Sequence, residues 1–578
     1  MTGLADALIG LLLTSAVAVQ EPRVAPPGGD LVTAIVHVNV IPMDREGIVR
    51  DQTVLVRGDR IVGVGRSAAV TVPAGATVID GSGGYLLPGL TDAHVHIEDL
   101  PWAHARPEFG DGPLYLAYGV TTVFSLSGTP LHLEWRRRVA TGELLGPTIY
   151  TAGPFVNEPR LSSPESVRDD IIRQAREGYD LIKYHELPET TTGLSLPAYH
   201  TMIDTAREVG LPLVGHAPVN LGIEVMLQAH QPIAHVGMLT NIYFLPLLAH
   251  RTTMLITIAA LVVLMLIVSI SVARRMARRW RPRAALRSWQ PALTGYILIS
   301  AIVAFVAAAA SSPGGPSFDS VALRVDFTAL AIGIAVAAAA SVFLTIGLWR
   351  NGAGASAARI EATVASCAAL ALAWTLTTFW VPVSWRGTDR GIAQIAKRVH
   401  DAGIPVQTTL TVYETFDAAT RGGLLHDPAI DYLRHDTADE WRQLPAAGPP
   451  GARVHEFATR VVGALHRAGV TLVAGTDAMG LPLVVPGASL HRELRLLNAS
   501  GLTPYEALRA ATVAPAMFLG KSQEFGTIAV DRRADLLLVA GNPLEDMATL
   551  DRPLGVMTRG RWLSRERLSQ LLDAMMRR

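Results

Sequence analysis

PGLTDAHVHIEDL, residues 88–100, is the stretch on which the fold turns. It opens with an apolar strand, Leu90 to His94, and ends in a pair of histidines. Side chains two apart in an extended segment point the same way, so His94 and His96 present two imidazoles to one place. Such a pair suits a cation. Alone it is a weak sign, because a single histidine is more often a satisfied core or surface residue. Its weight depends on what other strands carry at the same end.

Downstream, apolar strands alternate with helical segments: Thr121 to Phe124, Thr148 to Tyr150, Leu181 to Lys183, Leu213 to His216, Ile233 to His235, Val406 to Leu410 and Leu472 to Asp477. This alternation argues for parallel βα units. With Leu90 to His94 the count reaches eight, the number that closes a TIM (β/α)8 barrel. In that fold the C-terminal strand ends converge on one face, and here those ends carry His94, His96, Lys183, His216, His235 and Asp477. Residues 31–87 and the segments around Gly526 to Ile528, Ala534 to Val539 and Gly555 to Gly560 read as short strands. The two chain ends are expected to form a composite β-sandwich, a pairing that periodicity itself does not settle.

Acidic and basic residues balance at 50 each among 578, so no net field draws in nucleic acid or an acidic partner. Only 17% of residues are charged, below the quarter usual for soluble proteins. The apolar excess sits in four runs, Thr252 to Ala273, Ala292 to Ala310, Phe327 to Trp349 and Ala362 to Val381, each near the ~20 residues that cross a bilayer. Four inserted transmembrane helices are therefore expected. The loop from Arg274 to Arg287 is dense in arginine, whereas the next holds only Arg324 with Asp319 and Asp326. The positive-inside rule then makes the chain a multi-pass cell-membrane protein with its catalytic part extracytoplasmic. Cys367, the single cysteine, excludes an intrachain disulfide and a thiolate zinc cluster. Leu8 to Val19 is apolar and ends in Ala16-Val17-Ala18, which leaves a signal sequence, an uncleaved anchor and an apolar tail all open. The expected divisions are a signal-like or linker segment at 1–30, sandwich parts at 31–87 and 521–578 (the latter with a C-terminal helix), barrel parts at 88–250 and 386–520, and the membrane insertion at 251–385.

PGLTDAHVHIEDL resembles the signature that opens the barrel in the amidohydrolase superfamily. Asp180 to Lys183, Val214 to Pro218, Ile233 to His235, Ala474 to Asp477, and Leu490 to Leu494 followed by Gly501 to Leu508 are similar to its imidazolonepropionase-like and Xaa-Pro dipeptidase (prolidase)-like branch. The likeness covers about residues 31–245 and 388–565, outside the apolar block.

That resemblance implies two divalent metal ions, with zinc expected from the imidazole and carboxylate ligands. His94, His96, Lys183 and Asp477 would hold one, and Lys183, His216 and His235 the other. Lys183 would be N-carboxylated, because a carbamate offers two anionic oxygens where an ammonium repels cations. Asp477 would take the proton of the activated water and pass it to the leaving nitrogen. His185 and His491 are candidates for substrate contacts, while His104, His132, His200, His400, His426, His435, His455 and His466 read as surface residues. Gln407-Thr408-Thr409-Leu410 departs from the Pro-Thr-Leu frequent in relatives, and the segment after His235 runs straight into the apolar block. The function implied is hydrolysis of a carbon–nitrogen bond in a small amide, dipeptide or cyclic amide. An aminohydrolase (deaminase) and a catalytically silent membrane ligand sensor are the alternatives. Because the apolar block leaves from the end of a barrel strand, the active-site mouth is expected beside the bilayer, with a lipophilic substrate and a simple anchor both open. Oligomeric state is left open.

Overall fold

The computed structural model describes residues 32–97, 109–157, 160–186, 193–246, 251–277, 326–351, 356–445 and 454–577. The N-terminal apolar stretch, His104, the run Ala292 to Ala310 and most of the arginine-dense loop lie outside these residues.

Eight short, buried strands build the centre: β1 (Leu90–Val95), β2 (Val120–Ser125), β3 (Thr148–Thr151), β4 (Ile182–Tyr184), β5 (Leu213–Gly215), β6 (Ile233–Ala234), β7 (Val406–Gln407) and β8 (Leu472–Val473). All neighbours pair in parallel, in one sheet of β1–β2–β3 and a second of β4 to β8. Parallel bridges Ala152↔Leu181 and Val156↔Tyr184 join the sheets along one seam. Along the other, Val95 bridges Ala478, the Ala93 amide donates to the Ala474 carbonyl at 3.0 Å, and the Asp477 amide donates to the His94 carbonyl at 2.7 Å. The helices between strands bury one face each. Asp389–Asp401, for example, buries Ile392, Ile395, Ala396 and Val399 at helical spacing behind a Thr388 cap.

The chain ends meet in one hydrogen-bonded set of eight strands. Tyr85–Pro88 runs parallel to Val32–Val40 on one side and antiparallel to Leu536–Val539 on the other, with Leu536 opposite Pro88 and Val539 opposite Tyr85. One buried arginine ties this sheet to the central strands. Arg533 donates to Asp535 at 2.5 Å, to Thr122 Oγ1 of β2 at 2.9 Å and to Tyr150 Oη of β3 at 3.2 Å.

Between β6 and β7 the chain departs through a π-helical turn, Thr240–Phe244, into the helix Arg251–Ala277. It continues with helices Thr328–Arg350 and Ser356–Thr375, and a second π-turn, Leu376–Trp380, precedes the short helix Val381–Arg386. Among the described residues two helices, rather than the expected four, are long and apolar enough to cross a bilayer: Thr328–Arg350 and the continuous run Arg359–Arg386. Within the helix Arg251–Ala277 the apolar stretch Leu255–Leu264 is shorter than a span. Exit and return are locked together by Tyr243. Arg386 donates to its carbonyl at 2.8 Å and lies over its ring at 5.2 Å, and its hydroxyl donates to Gln394 Oε1 at 3.1 Å.

Arg533→Leu strands the buried Asp535 carboxylate and removes two bonds between sheet and central strands. The expected cost is about 3–5 kcal/mol, read as a lower urea midpoint. The same change at exposed Arg207 is expected to stay within about 0.5 kcal/mol. Equal midpoints for the two variants would contradict the tie.

Candidate metal centre

Every side chain in the centre comes from the C-terminal end of a central strand. His94 and His96 stand at the end of β1, Lys183 in β4, His216 and His235 just after β5 and β6, and Asp477 in the turn after β8. All six are buried, and Lys183 is 0% exposed. Asp477 Oδ1 lies 2.9 Å from His96 Nε2 and 3.3 Å from His94 Nε2, and Lys183 Nζ lies 3.2 Å from the same His94 nitrogen. The His235 ring centre is 4.3 Å from that of His94 and 5.2 Å from that of His216. Packing this tight needs a small neighbour: a Cβ on Gly475 would stand 2.6 Å from His94 Cβ. His235 and Asp477 turn off their strands at φ of 65° and 66°, a conformation that L residues keep only where the surroundings enforce it.

Three imidazoles are aimed by bonds at their far nitrogen. His94 Nδ1 donates to Gln407 Oε1 at 2.9 Å, and the Gln407 amide is itself fixed by donating to the Ala93 carbonyl at 2.8 Å. His216 Nδ1 donates to the Glu186 carbonyl at 2.9 Å, and His235 Nδ1 meets Thr409 Oγ1 at 2.9 Å. The bonds of His94 and His216, both to carbonyl oxygens, leave Nε2 as the lone-pair nitrogen facing the centre, the arrangement of histidines that ligate metals.

Burial sets the charges. It drives the imidazolium forms of His94 and His216 well below the usual histidine range and that of His235 down to about 3, so these rings are neutral at pH 7. The same desolvation pulls Lys183 down to about 7, which makes an uncharged amine readily available. Burial also opposes the charge of Asp477, yet the facing His235 and His96 outweigh it and hold the carboxyl below its ordinary value. Neutral imidazoles, a deprotonated carboxylate and an easily deprotonated amine fit divalent cations. The ligand atoms of His94, His96 and Asp477 all lie within 4.8 Å of one another.

The two candidate substrate histidines part company. His185 stacks on Phe155 at 4.3 Å and lies 4.4 Å from His216, with its buried Nδ1 unpartnered among the described residues. It stands at the edge of the cluster. His491 does not: its Nδ1 faces Asp551 at 2.9 Å and its Nε2 the Tyr118 carbonyl at 2.8 Å. Both its nitrogens are thus engaged by residues that are not among the candidate ligands. His132 is also buried rather than at the surface, between Ser125 Oγ at 3.2 Å and the Ile97 carbonyl at 3.1 Å.

Several supporting residues carried no functional expectation. Asp92 accepts from the Thr476 hydroxyl at 2.6 Å and amide at 3.0 Å, which pins β1 to the turn bearing Asp477. Glu493 accepts from Thr408 Oγ1 at 2.5 Å and the Thr411 amide at 2.9 Å, bracing β7. Burial raises both carboxyls to about 7. The signal for Gln407 and Thr409 was their position at a central strand end, where polar side chains face the cluster.

In comparison with known proteins, residues 375–563 match the model of the amidohydrolase family. An imidazolonepropionase of Sphingopyxis alaskensis is 37% identical over 139 residues, 22% of this chain and 32% of the relative. An adenine deaminase of Rubrobacter xylanophilus is 34% identical over 135 residues, 21% of this chain and 22% of the relative. The chain thus spans a third or less of the length of these curated relatives. Among solved structures, a putative prolidase from Bifidobacterium longum superposes with a TM-score of 0.52 at 19% identity, covering 94% of this chain and 99% of that one. A Xaa-Pro dipeptidase with bound methionine gives a TM-score of 0.53 at 14% identity, covering 92% and 100%. At such identities the likeness is one of fold.

Gln407→Leu frees the far nitrogen of His94 without touching a ligand atom. Zinc affinity, measured by competition with a chromophoric chelator, is expected to fall about 10- to 100-fold. Unchanged affinity would contradict the aiming role.

Proposed function

We propose that this protein is a metal-dependent hydrolase that breaks a carbon–nitrogen bond in an amide, dipeptide or cyclic amide. The observation that carries this reading is the meeting of six buried metal-capable side chains from five strand ends. In this reading the two sheets, bridged along both seams, act as one closed (β/α)8 barrel whose C-terminal rim is the active site.

His94, His96, Lys183 and Asp477 would hold one divalent ion, and Lys183, His216 and His235 a second, with zinc matching the donors. Bound there, the ions supply Lewis-acid activation of water and of the scissile carbonyl. The rest is the work of the chain. Gln407, the Glu186 carbonyl and Thr409 orient the rings. The uncharged Lys183 amine adds to carbon dioxide, forming an N–C bond and losing a proton, to give a carbamate that faces both ligand sets. Asp477, deprotonated and beside His96, accepts the proton of the attacking water and hands it to the nitrogen that leaves. His185 lies where it can contact substrate.

The adenine deaminase likeness favours one second reading, release of ammonia from an amidine carbon. A site with a single metal and ammonia as product would decide for it. The completeness of the ligand set speaks against a silent ligand sensor. Multi-pass placement in the cell membrane, with the catalytic rim extracytoplasmic, belongs to the same proposal and is supported by the two long apolar helices.

Asp477→Asn is expected to lower kcat roughly a hundred- to ten-thousandfold across Xaa-Pro dipeptides, N-acyl amino acids and cyclic amides, with metal content measured on the same samples. Equal turnover by that variant would exclude Asp477 as the base.

A further inference from the structure

The inserted helices are built the opposite way round from helices of a water-soluble core. Where Thr328–Arg350 and Ser356–Thr375 meet, the contact is small and polar: Ser341 Oγ lies 2.8 Å from Ser366 Oγ, and Thr345 Oγ1 lies 3.0 Å from Ser366 Oγ. Ala338, Ala362 and Ala369 are buried beside them. Many large apolar side chains point outward, with Val336 65%, Phe343 78% and Leu255 65% exposed, and Ile332, Val364 and Leu370 exposed as well, while Leu264, Ile334 and Leu372 pack inside. Small and hydroxyl residues inside with bulky apolar residues outside is the pattern of helices solvated by lipid. Thr328–Arg350 has 23 residues, a rise of about 34 Å against a hydrocarbon layer of about 30 Å. One end is marked by Trp349, Arg350 and Arg359, the last 4.8 Å over the Trp349 ring. Aromatic and basic residues gather at the water interface of a bilayer.

The insertion also has a fixed address. It leaves five residues beyond His235, through the turn Thr240–Phe244, and returns at Trp385 and Arg386, where the helix Asp389–Asp401 starts its run back toward β7. Parallel topology puts that start on the same rim as the strand ends that carry the cluster. The Tyr243–Arg386 contacts hold exit and return there. Trp385 remains 43% exposed at this junction, as does Phe416, at 38%, on the helix that begins next to Thr409.

We propose that the rim faces a lipid bilayer and that the substrate is an amide with a long alkyl arm, a fatty-acyl amide, which reaches the cluster while its arm stays in the lipid. Water adds to the acyl carbon, the carbon–nitrogen bond breaks, the amine leaves with the proton and the fatty carboxylate remains at the membrane. This inference rests on the hydrolase reading and adds the substrate class.

The test uses the zinc-loaded full-length protein in phosphatidylcholine vesicles, with N-acyl amino acids from acetyl to palmitoyl. kcat/KM is expected to rise at least about tenfold from acetyl to dodecanoyl, each buried methylene adding to binding. At a fixed amount of palmitoyl substrate, adding empty lipid to the same vesicles is expected to slow the reaction, because the enzyme reads surface concentration. Turnover of short and long chains at equal kcat/KM, or a rate indifferent to added lipid, would overturn this inference and leave the hydrolase intact. The second result is also what a second copy covering the helices would give. No turnover of any amide, the acetyl compound and Xaa-Pro dipeptides included, would overturn the hydrolase reading and this inference with it.

Discussion

The structure depends on keeping three imidazoles neutral and a lysine easily deprotonated in a dry space around one carboxylate. Desolvation does this: it lowers His94, His216 and His235 far below neutrality and Lys183 to about 7, while the carboxyl of Asp477, beside His96, is held below its ordinary value. The outcome is a pocket of lone pairs with a slight negative bias. Binding a divalent cation there costs little in protons released and little in side-chain ordering, since the far nitrogens are already engaged.

The remainder of the fold serves that arrangement at successive distances. Parallel pairing brings five strand ends, and the six side chains they carry, to one rim, although these are spread from position 94 to position 477. Asp92 holds the β1 end against the turn after β8, and Glu493, on the helix Ala488–Ala499, holds the β7 end. Arg533 then fastens the two-ended sheet to β2 and β3 from outside. The inserted helices share that economy. They join the core beside the rim through Leu239, Phe244 and Val383, with the Phe244 ring 5.2 Å from Phe457, so the apolar block is attached where the chemistry is.

How much of this could be read in advance follows from what local sequence encodes. His94, His96, Lys183, His216, His235 and Asp477 were legible because each closes an apolar strand, and parallel topology collects such ends. The parts that escaped are non-local. Gln407 looks like a departure from a motif until β7 is set near β1, where its amide oxygen meets His94. His491 was singled out because it matches a histidine frequent in the resembled family, and its partners, Asp551 and the Tyr118 carbonyl, are far away in sequence. His132 sits on a helix whose polar neighbours suggest exposure, and only the packing against Ser125 and Ile97 shows it buried. Pairing of Tyr85–Pro88 with Leu536–Val539 links the chain ends, and strand periodicity carries no partner information. Apolar runs announced the insertion, but among the described residues two helices meet the length and composition of a span where four were expected.

The most direct measurement is zinc-edge anomalous diffraction from the full-length protein grown with zinc. The account requires anomalous density at about 2.0–2.1 Å from the Nε2 atoms of His94 and His96, and a second peak equally close to those of His216 and His235. Density confined to sites away from these nitrogens, or rings that ligate through Nδ1 with Gln407 and Thr409 displaced, would contradict it.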